Sequence, residues 1–167
     1  MAEQDELQAQ PAQEQPADAA AFGIEKIYVK DLSLEIPNAP QVFLQRETPQ
    51  VGIELRNAAN TLNDGVYEVV VTITVTSKLE DKTVFLVEVA QAGIFQIRHV
   101  PNETLEGILG VTCPNILFPY ARETISDVVT RAGFPPVLLN PINFEAIYAQ
   151  QKQQQTQQAG ASEATTH

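Results

Sequence analysis

The chain contains a single cysteine, Cys113, and His99 is its one histidine before the final residue. A thiolate beside an imidazole would be a nucleophile with its base, provided the fold brought the two together. Cys113 precedes Pro114 at the head of an apolar stretch, the setting of a packed thiol rather than an activated one. His99 ends an apolar run, where an exposed strand end is expected. One imidazole and one thiol do not make a metal site. Gly107 to Gly110 lacks the lysine and the strand-to-helix setting of a phosphate loop. Asp31 and Glu35 stand four residues apart, which on a strand places both on one face but well separated along its axis. Two solvated carboxylates are expected there, not an acid–base pair. Nothing assembles into a catalytic site. The expectation is a binding protein and not an enzyme, with no cofactor and no resident metal.

The elements that would carry these residues centre on Val66 to Val100. Tyr67, Val69, Val71, Ile73 and Val75 alternate with Glu68, Thr72 and Thr74, the period of two of a half-buried antiparallel strand. A polar turn is expected over Ser77 to Lys82. The chain then returns through Thr83 to Gln91, with Phe85, Val87 and Val89 on one face. Val84, Leu86 and Ala90 occupy the other face with Glu88, so this strand is apolar on both sides and a second surface is expected to cover it. Gly93 suggests a bulge that flips the register of the continuation. Before this hairpin, a strand is expected over Ile24 to Ile36 and another over Val51 to Arg56, with a turn at Asn63-Asp64-Gly65. Beyond Pro101 the period becomes helical: Leu105, Ile108 and Leu109 make one stripe, and Ile116 to Ala132 carries another, ended by Gly133 to Pro136. Asn140-Pro141 is read as the entry to a last helix with Phe144, Ile147 and Tyr148 on one face. Four strands followed by helices predict an α+β fold built on a four-stranded antiparallel sheet.

Composition bounds the partners. The 167 residues suit one domain, expected over 22–150, between polar tails at 1–21 and 151–167 read as disordered. A net charge of −11 argues against nucleic acid and against anionic lipid headgroups, and favours a cationic partner. No apolar run reaches the ~18 residues of a membrane span, so no stable membrane insertion is expected. With an acidic N-terminus and a lone cysteine, the expectation is a soluble cytoplasmic protein.

Cys113 to Glu123 reads Cys-Pro-Asn-Ile-Leu-Phe-Pro-Tyr-Ala-Arg-Glu, with Leu105-x-x-x-Leu-Gly110 before it and Gly133-Phe-Pro after it. This resembles SecB, the chaperone family of bacterial protein export. Ile27 to Glu35, Pro37-Asn38-Ala39-Pro40, Val66 to Val70, Gly93-Ile94-Phe95 and Pro141 to Phe144 agree with the family in order. The likeness covers about 22–150. It implies helices on one face of the sheet and a homotetramer arranged as a dimer of dimers. It also implies an ATP-independent holdase that binds unfolded secretory preproteins in apolar grooves and delivers them to the motor SecA.

Carried over residue by residue, the resemblance assigns Val51, Ile53, Leu55, Phe144, Ile147 and Tyr148 to the client groove. It assigns Asp31, Glu35, Leu86 and Glu88 to an acidic surface for the basic, zinc-containing C-terminal tail of SecA, the zinc belonging to that partner. Val87, Val89 and Gln91 would pair subunits edge to edge. Two departures stand out: Glu47-Thr48-Pro49 lies where relatives often carry a tryptophan, and Gln151 and Lys152 replace large apolar residues in the last helix. The alternative class is a small-ligand or adaptor domain without chaperone activity.

Overall fold

The computed structural model of this chain describes residues 19–163, with side chains described as far as residue 157. The expected N-terminal tail therefore lies outside the described residues up to 18, as do the last four residues of the C-terminal one. Four strands form one sheet: β1 (Ala21–Glu35), β2 (Gln50–Asn63), β3 (Val66–Leu79) and β4 (Lys82–Arg98). Their order is β1-β4-β3-β2, and each neighbouring pair is antiparallel. β1 and β2 are thus the two edges, and residues 36–49 must cross the sheet to join them.

Every strand is longer than its own sequence pattern suggests. β2 continues seven residues past Arg56, through a stretch dominated by Asn and Ala, poor strand formers that are held by pairing with β3 from Gln50↔Lys78 to Asn63↔Val66. The turn between β3 and β4 shrinks to Glu80 and Asp81. Glu80 there adopts a left-handed φ of 51°. Gly65 closes the β2–β3 turn with φ +67°, and a Cβ on it would come within 2.8 Å of the Arg98 side chain.

The expected bulge at Gly93 is not there. Gly93 pairs in step with Ile27 on β1 and Val69 on β3, and the register shifts of the β1–β4 pair lie between Ile24 and Lys26 and between Val29 and Asp31. Odd-numbered residues from Phe85 to Ile97 stay on one buried face throughout. Gly93 is glycine for a packing reason: a Cβ would sit 2.7 Å from the Phe95 ring and 3.0 Å from Leu117.

The helices follow as α1 (Asn102–Gly107), a π-helical stretch over Ile108–Thr112, and α2 (Cys113–Arg131), with helical backbone angles across both junctions. The Cys113 amide donates to the Ile108 carbonyl, five residues back. Pro114 follows at once and has no N–H for the Gly110 carbonyl, so the wider turn absorbs a position the α ladder cannot satisfy. Cys113, Leu117, Ala121, Ile125 and Val129 recur every four residues and are fully buried. That stripe lies on β3 and β4, against Val69, Val71, Ile73 and Val75 and against Phe85, Val87, Val89, Phe95 and Ile97. Burying each such side chain is worth roughly 1.5–3 kcal/mol.

α3 (Phe144–Glu163) starts at Asn143, whose Oδ1 accepts from the Ala146 amide, rather than at Asn140. The helix runs on past residue 150 to Glu163, into the stretch read from the sequence as a polar tail. Glutamine and alanine are good helix formers, and a helix already nucleated on the core extends through them without an apolar stripe of its own.

Substituting Gly93→Ala should lower the free energy of unfolding by about 1–3 kcal/mol, because the buried Phe95 ring has no room to retreat. Urea denaturation of the two proteins would measure it, and an unchanged midpoint would show that the ring yields.

Candidate functional site

One helix cannot cover four strands, and the sheet's helix side is left bare at both margins. On β2, Val51, Ile53, Leu55, Asn57 and Ala59 pair with Ser77, Val75, Ile73, Val71 and Val69, and so point to the helix side. Leu55 packs half-buried against the core, while Val51 and Ile53 are 48% and 51% exposed. A recess adjoins each end of this run. At the N-terminal end a cavity of about 370 Å³ is lined by Val42, Pro49, Leu79, Val84, Phe134 and Pro135. At the other end a cavity of about 360 Å³ lies between Asn57 and Ala59, Leu109 and Gly110, and Tyr148 of α3.

Of the three α3 residues expected to line a groove, Tyr148 lines this recess and Ile147, one position before it, is half-buried. Gly110 makes the notch for Tyr148: a Cβ there would meet the ring at 2.6 Å. Lys152 lies 5.3 Å from the centre of that ring and pairs with Glu106 at 3.0 Å, which ties α3 to α1. Phe144 is a correction. It is 1% exposed and packs edge-on to Phe118 at 6.0 Å, a core residue because it is the first residue of α3 and points inward where the helix docks.

The connection between β1 and β2 supplies residues that the sequence pattern did not single out. Its short 3-10 turn, Gln41–Leu44, leaves Phe43 47% and Leu44 81% exposed. Phe43 stacks on Phe134 at 5.0 Å, and Phe134 meets Phe85 at 5.0 Å, so the loop is anchored by a row of three rings. Three consecutive apolar residues, Val42 to Leu44, in a proline-bounded polar connection were the available signal.

The opposite, flat face of the sheet is polar. Asp31, Ser33 and Glu35 stand directly across from Ala90, Glu88 and Leu86. The fold therefore brings Asp31, Glu35, Leu86 and Glu88 together on one face of adjacent strands, with opposite Cβ atoms about 5 Å apart. The bulge at Val29/Asp31 lets Lys30 share that face. Its ammonium donates to both carboxylate oxygens of Glu68 at 2.9 and 2.8 Å, and the Tyr28 hydroxyl donates to Oε1 as well. This bridge arches from β1 to β3 over Ala92 of β4, which is fully buried beneath it. Lys30, Tyr28 and the Coulomb field of Lys30 hold the Glu68 carboxyl below its usual range against the opposing effect of burial. Glu68 in turn raises the Tyr28 phenol, by its hydrogen bond first and then through burial and charge.

Val87, Val89 and Gln91 are not at an edge. β4 is hydrogen-bonded to β1 on one side and β3 on the other, and Val87 and Val89 are fully buried under α2 within the single chain. Edge-to-edge pairing through them is closed off. Gln91 has a local task, its Nε2 donating at 3.0 Å to the Tyr28 carbonyl beside the β1 bulge. Cys113 is likewise buried, its thiol pushed up to about 12 by that burial, and His99 sits exposed at the end of β4 with a φ of 55°. Among the described residues there is no cluster of three or more metal-ligating side chains, and no helix long and apolar enough to cross a membrane.

Residues 13–155 match the family model described as SecB, preprotein translocase subunit. The chain is 74% identical to the protein-export protein SecB of Methylobacillus flagellatus, over 97% of this chain and 99% of that one. It is 62% identical to the protein of that name in Chromobacterium violaceum, over 96% and 100%. Among solved structures, the SecB-like chaperone of Mycobacterium tuberculosis, in complex with a peptide from an antitoxin, matches with a TM-score of 0.59. It is 18% identical and covers 73% of this chain and 88% of that one, a likeness of fold.

The lowered pKa of Glu68 fixes a pH signature. The stabilisation it contributes is complete above the carboxylate's ordinary value near 4.5 and is lost as pH falls through the lower folded value. Glu68→Gln should therefore cost about 1–3 kcal/mol at neutral pH, and the difference from the unsubstituted chain should close as pH drops below about 4.5. Unfolding free energies measured from pH 7 to 3 would check this; a difference constant with pH would contradict it.

Proposed function

This chain belongs to the SecB family, a family of export chaperones and not of enzymes, and we propose that it acts as an ATP-independent holdase for unfolded preproteins. The observation that carries this reading is the apolar run on the helix side of β2, bare to solvent and closed at each end by a recess. An unfolded segment offers aliphatic and aromatic side chains every few residues, whereas a native protein hides them. A run of Val51, Ile53 and Leu55, continued by Phe43 and Leu44 at one end and by Ile147 and Tyr148 at the other, takes such side chains without reading their order. From Pro49 to Ala59 it spans about 33 Å, room for roughly ten extended client residues. Each client side chain removed from water contributes roughly 1.5–3 kcal/mol, so a few anchors give reversible capture without a driven cycle.

Delivery to SecA would use the other side of the sheet. Asp31, Glu35, Leu86 and Glu88 share the flat face, and a basic tail is the electrostatic complement of a chain of net charge −11. The zinc stays with that partner. Self-association into a tetramer would use β1 rather than β4. β1 is a free edge of 15 residues, and Phe22, Ile24, Val29 and Leu32 project from its helix side 44–48% exposed, an apolar margin that a second copy would cover. The proposed setting is the cytoplasm, before preproteins are exported.

The test is the refolding of a slow-folding preprotein, unfolded in denaturant, with and without the chain and without ATP. Stoichiometric arrest that an excess of the native preprotein does not relieve is expected. The variant Val51→Arg/Ile53→Arg changes two exposed positions and should weaken client binding about tenfold or more while leaving the thermal midpoint within a few degrees. Refolding at the unassisted rate, or full arrest by the variant, would sink this assignment.

A further inference from the structure

The flat face carries a cation that the docking reading leaves unexplained. Arg56 lies on β2 opposite Thr72, on the same face as Thr74 and Glu88. Its Nη2 donates to Oε2 of Glu88 at 3.1 Å, and the Thr74 hydroxyl donates to the same oxygen at 2.6 Å. Glu88 is thus already occupied by a side chain of its own chain. Lys30, the other cation nearby, is committed to both oxygens of Glu68 and does not neutralise the adjoining Asp31. Neither Asp31 nor Glu35 has an ion-pair partner among the described residues. The acidic face therefore holds two free carboxylates on β1 and one on β4 that is capped.

The two caps differ in kind. Glu68 is 10% exposed and held by three hydrogen bonds from two groups, Lys30 and Tyr28, whereas Glu88 is 32% exposed and its Arg56 cap, itself 68% exposed, makes one bond from one nitrogen. A guanidinium so placed can swing into water at little cost, and an exposed pair of this type contributes little to stability. We propose that Arg56 is a resident competitor for the docking surface: a cationic polypeptide segment must displace it from Glu88, and Arg56 thereby sets the affinity and salt dependence of that contact. Thr74 stays on the carboxylate in both states and keeps its oxygen aimed outward. The inference rests on the docking role given above to Glu35 and Glu88.

The probe is fluorescein-labelled pentalysine, followed by anisotropy at several salt concentrations around 0.1 M. Arg56→Gln should bind it about two- to fivefold more tightly than the unsubstituted chain, the range of an exposed ion pair, with a steeper loss as salt rises. Glu88→Gln should weaken binding. Adding Arg56→Gln to Glu88→Gln should recover less than half of the gain, since the competitor then has nothing to guard. Circular dichroism of each variant checks that the fold is kept. An equal gain in both backgrounds would reduce Arg56 to a distant charge, and no gain at all would remove it from the surface; either result overturns the inference. Pentalysine that binds, and is weakened by Glu35→Gln while indifferent to Arg56→Gln, would leave the docking reading standing without it. Pentalysine that fails to bind the unsubstituted chain would overturn both.

Discussion

The molecule depends on one mismatch of widths. A helix with its side chains is about 10 Å across, and a four-stranded sheet spans about 15 Å between its outer strands. α2 lays one stripe of buried residues on the two inner strands, β3 and β4, and its contact with the outer pair is slight. What would be a finished core in a chain with two parallel helices is here left open at both margins. Val51 and Ile53 on β2, and Phe22, Ile24, Val29 and Leu32 on β1, are half-exposed for the same geometric reason. Capture of clients and self-association are both proposals about how those two margins are used.

A surface with this much open aliphatic area invites aggregation, and the rest of the chain answers with charge. Acidic residues outnumber basic ones 21 to 10, a net charge that opposes non-specific association. The flat face sets threonines and paired charges around its few apolar side chains, Val70, Leu86 and Ile94, so the open aliphatic surface is concentrated on the helix side. The crossing loop is the compromise between the two tendencies. It places Phe43 and Leu44 in solvent, yet Phe43 is held on Phe134, so the exposed apolar surface there is rigid rather than loose.

Local sequence carried the strand type, the inward set of β3 and the helical stripe, because each depends on residues close in the chain. The alternation of Val69, Val71, Ile73 and Val75 needs no partner to be read, and all four are fully buried. Strand length and order depend on partners and were illegible from pattern alone: β2 past Arg56, rich in Asn and Ala, has little strand propensity of its own and is held by pairing with β3. The grouping of Asp31, Glu35, Leu86 and Glu88 was accessible only through the resemblance, since it needs the β1–β4 register. Phe144 had the right helical spacing for a groove, but spacing does not say which side of the first turn meets the core.

β4 shows how a strand apolar on both sides is answered in part inside one chain. Its two-sided apolar character is real, and at Ala92 the second cover comes from within the chain, while Leu86, Ala90 and Ile94 on the same face stay half-buried. Ala90 and Ala92 lie on the flat face between β1 and β3, and the Tyr28–Lys30–Glu68 bridge spans the gap between those strands directly above. Strands two apart are about 9.6 Å from one another, a distance that a tyrosine and a lysine can close only if the intervening residue is short. Ala92 is fully buried under polar neighbours, with no second subunit required. A small residue flanked by long polar ones on both adjoining strands thus marks a central strand, whereas an interface strand would show large apolar residues facing outward, as β1 does at Phe22, Ile24, Val29 and Leu32.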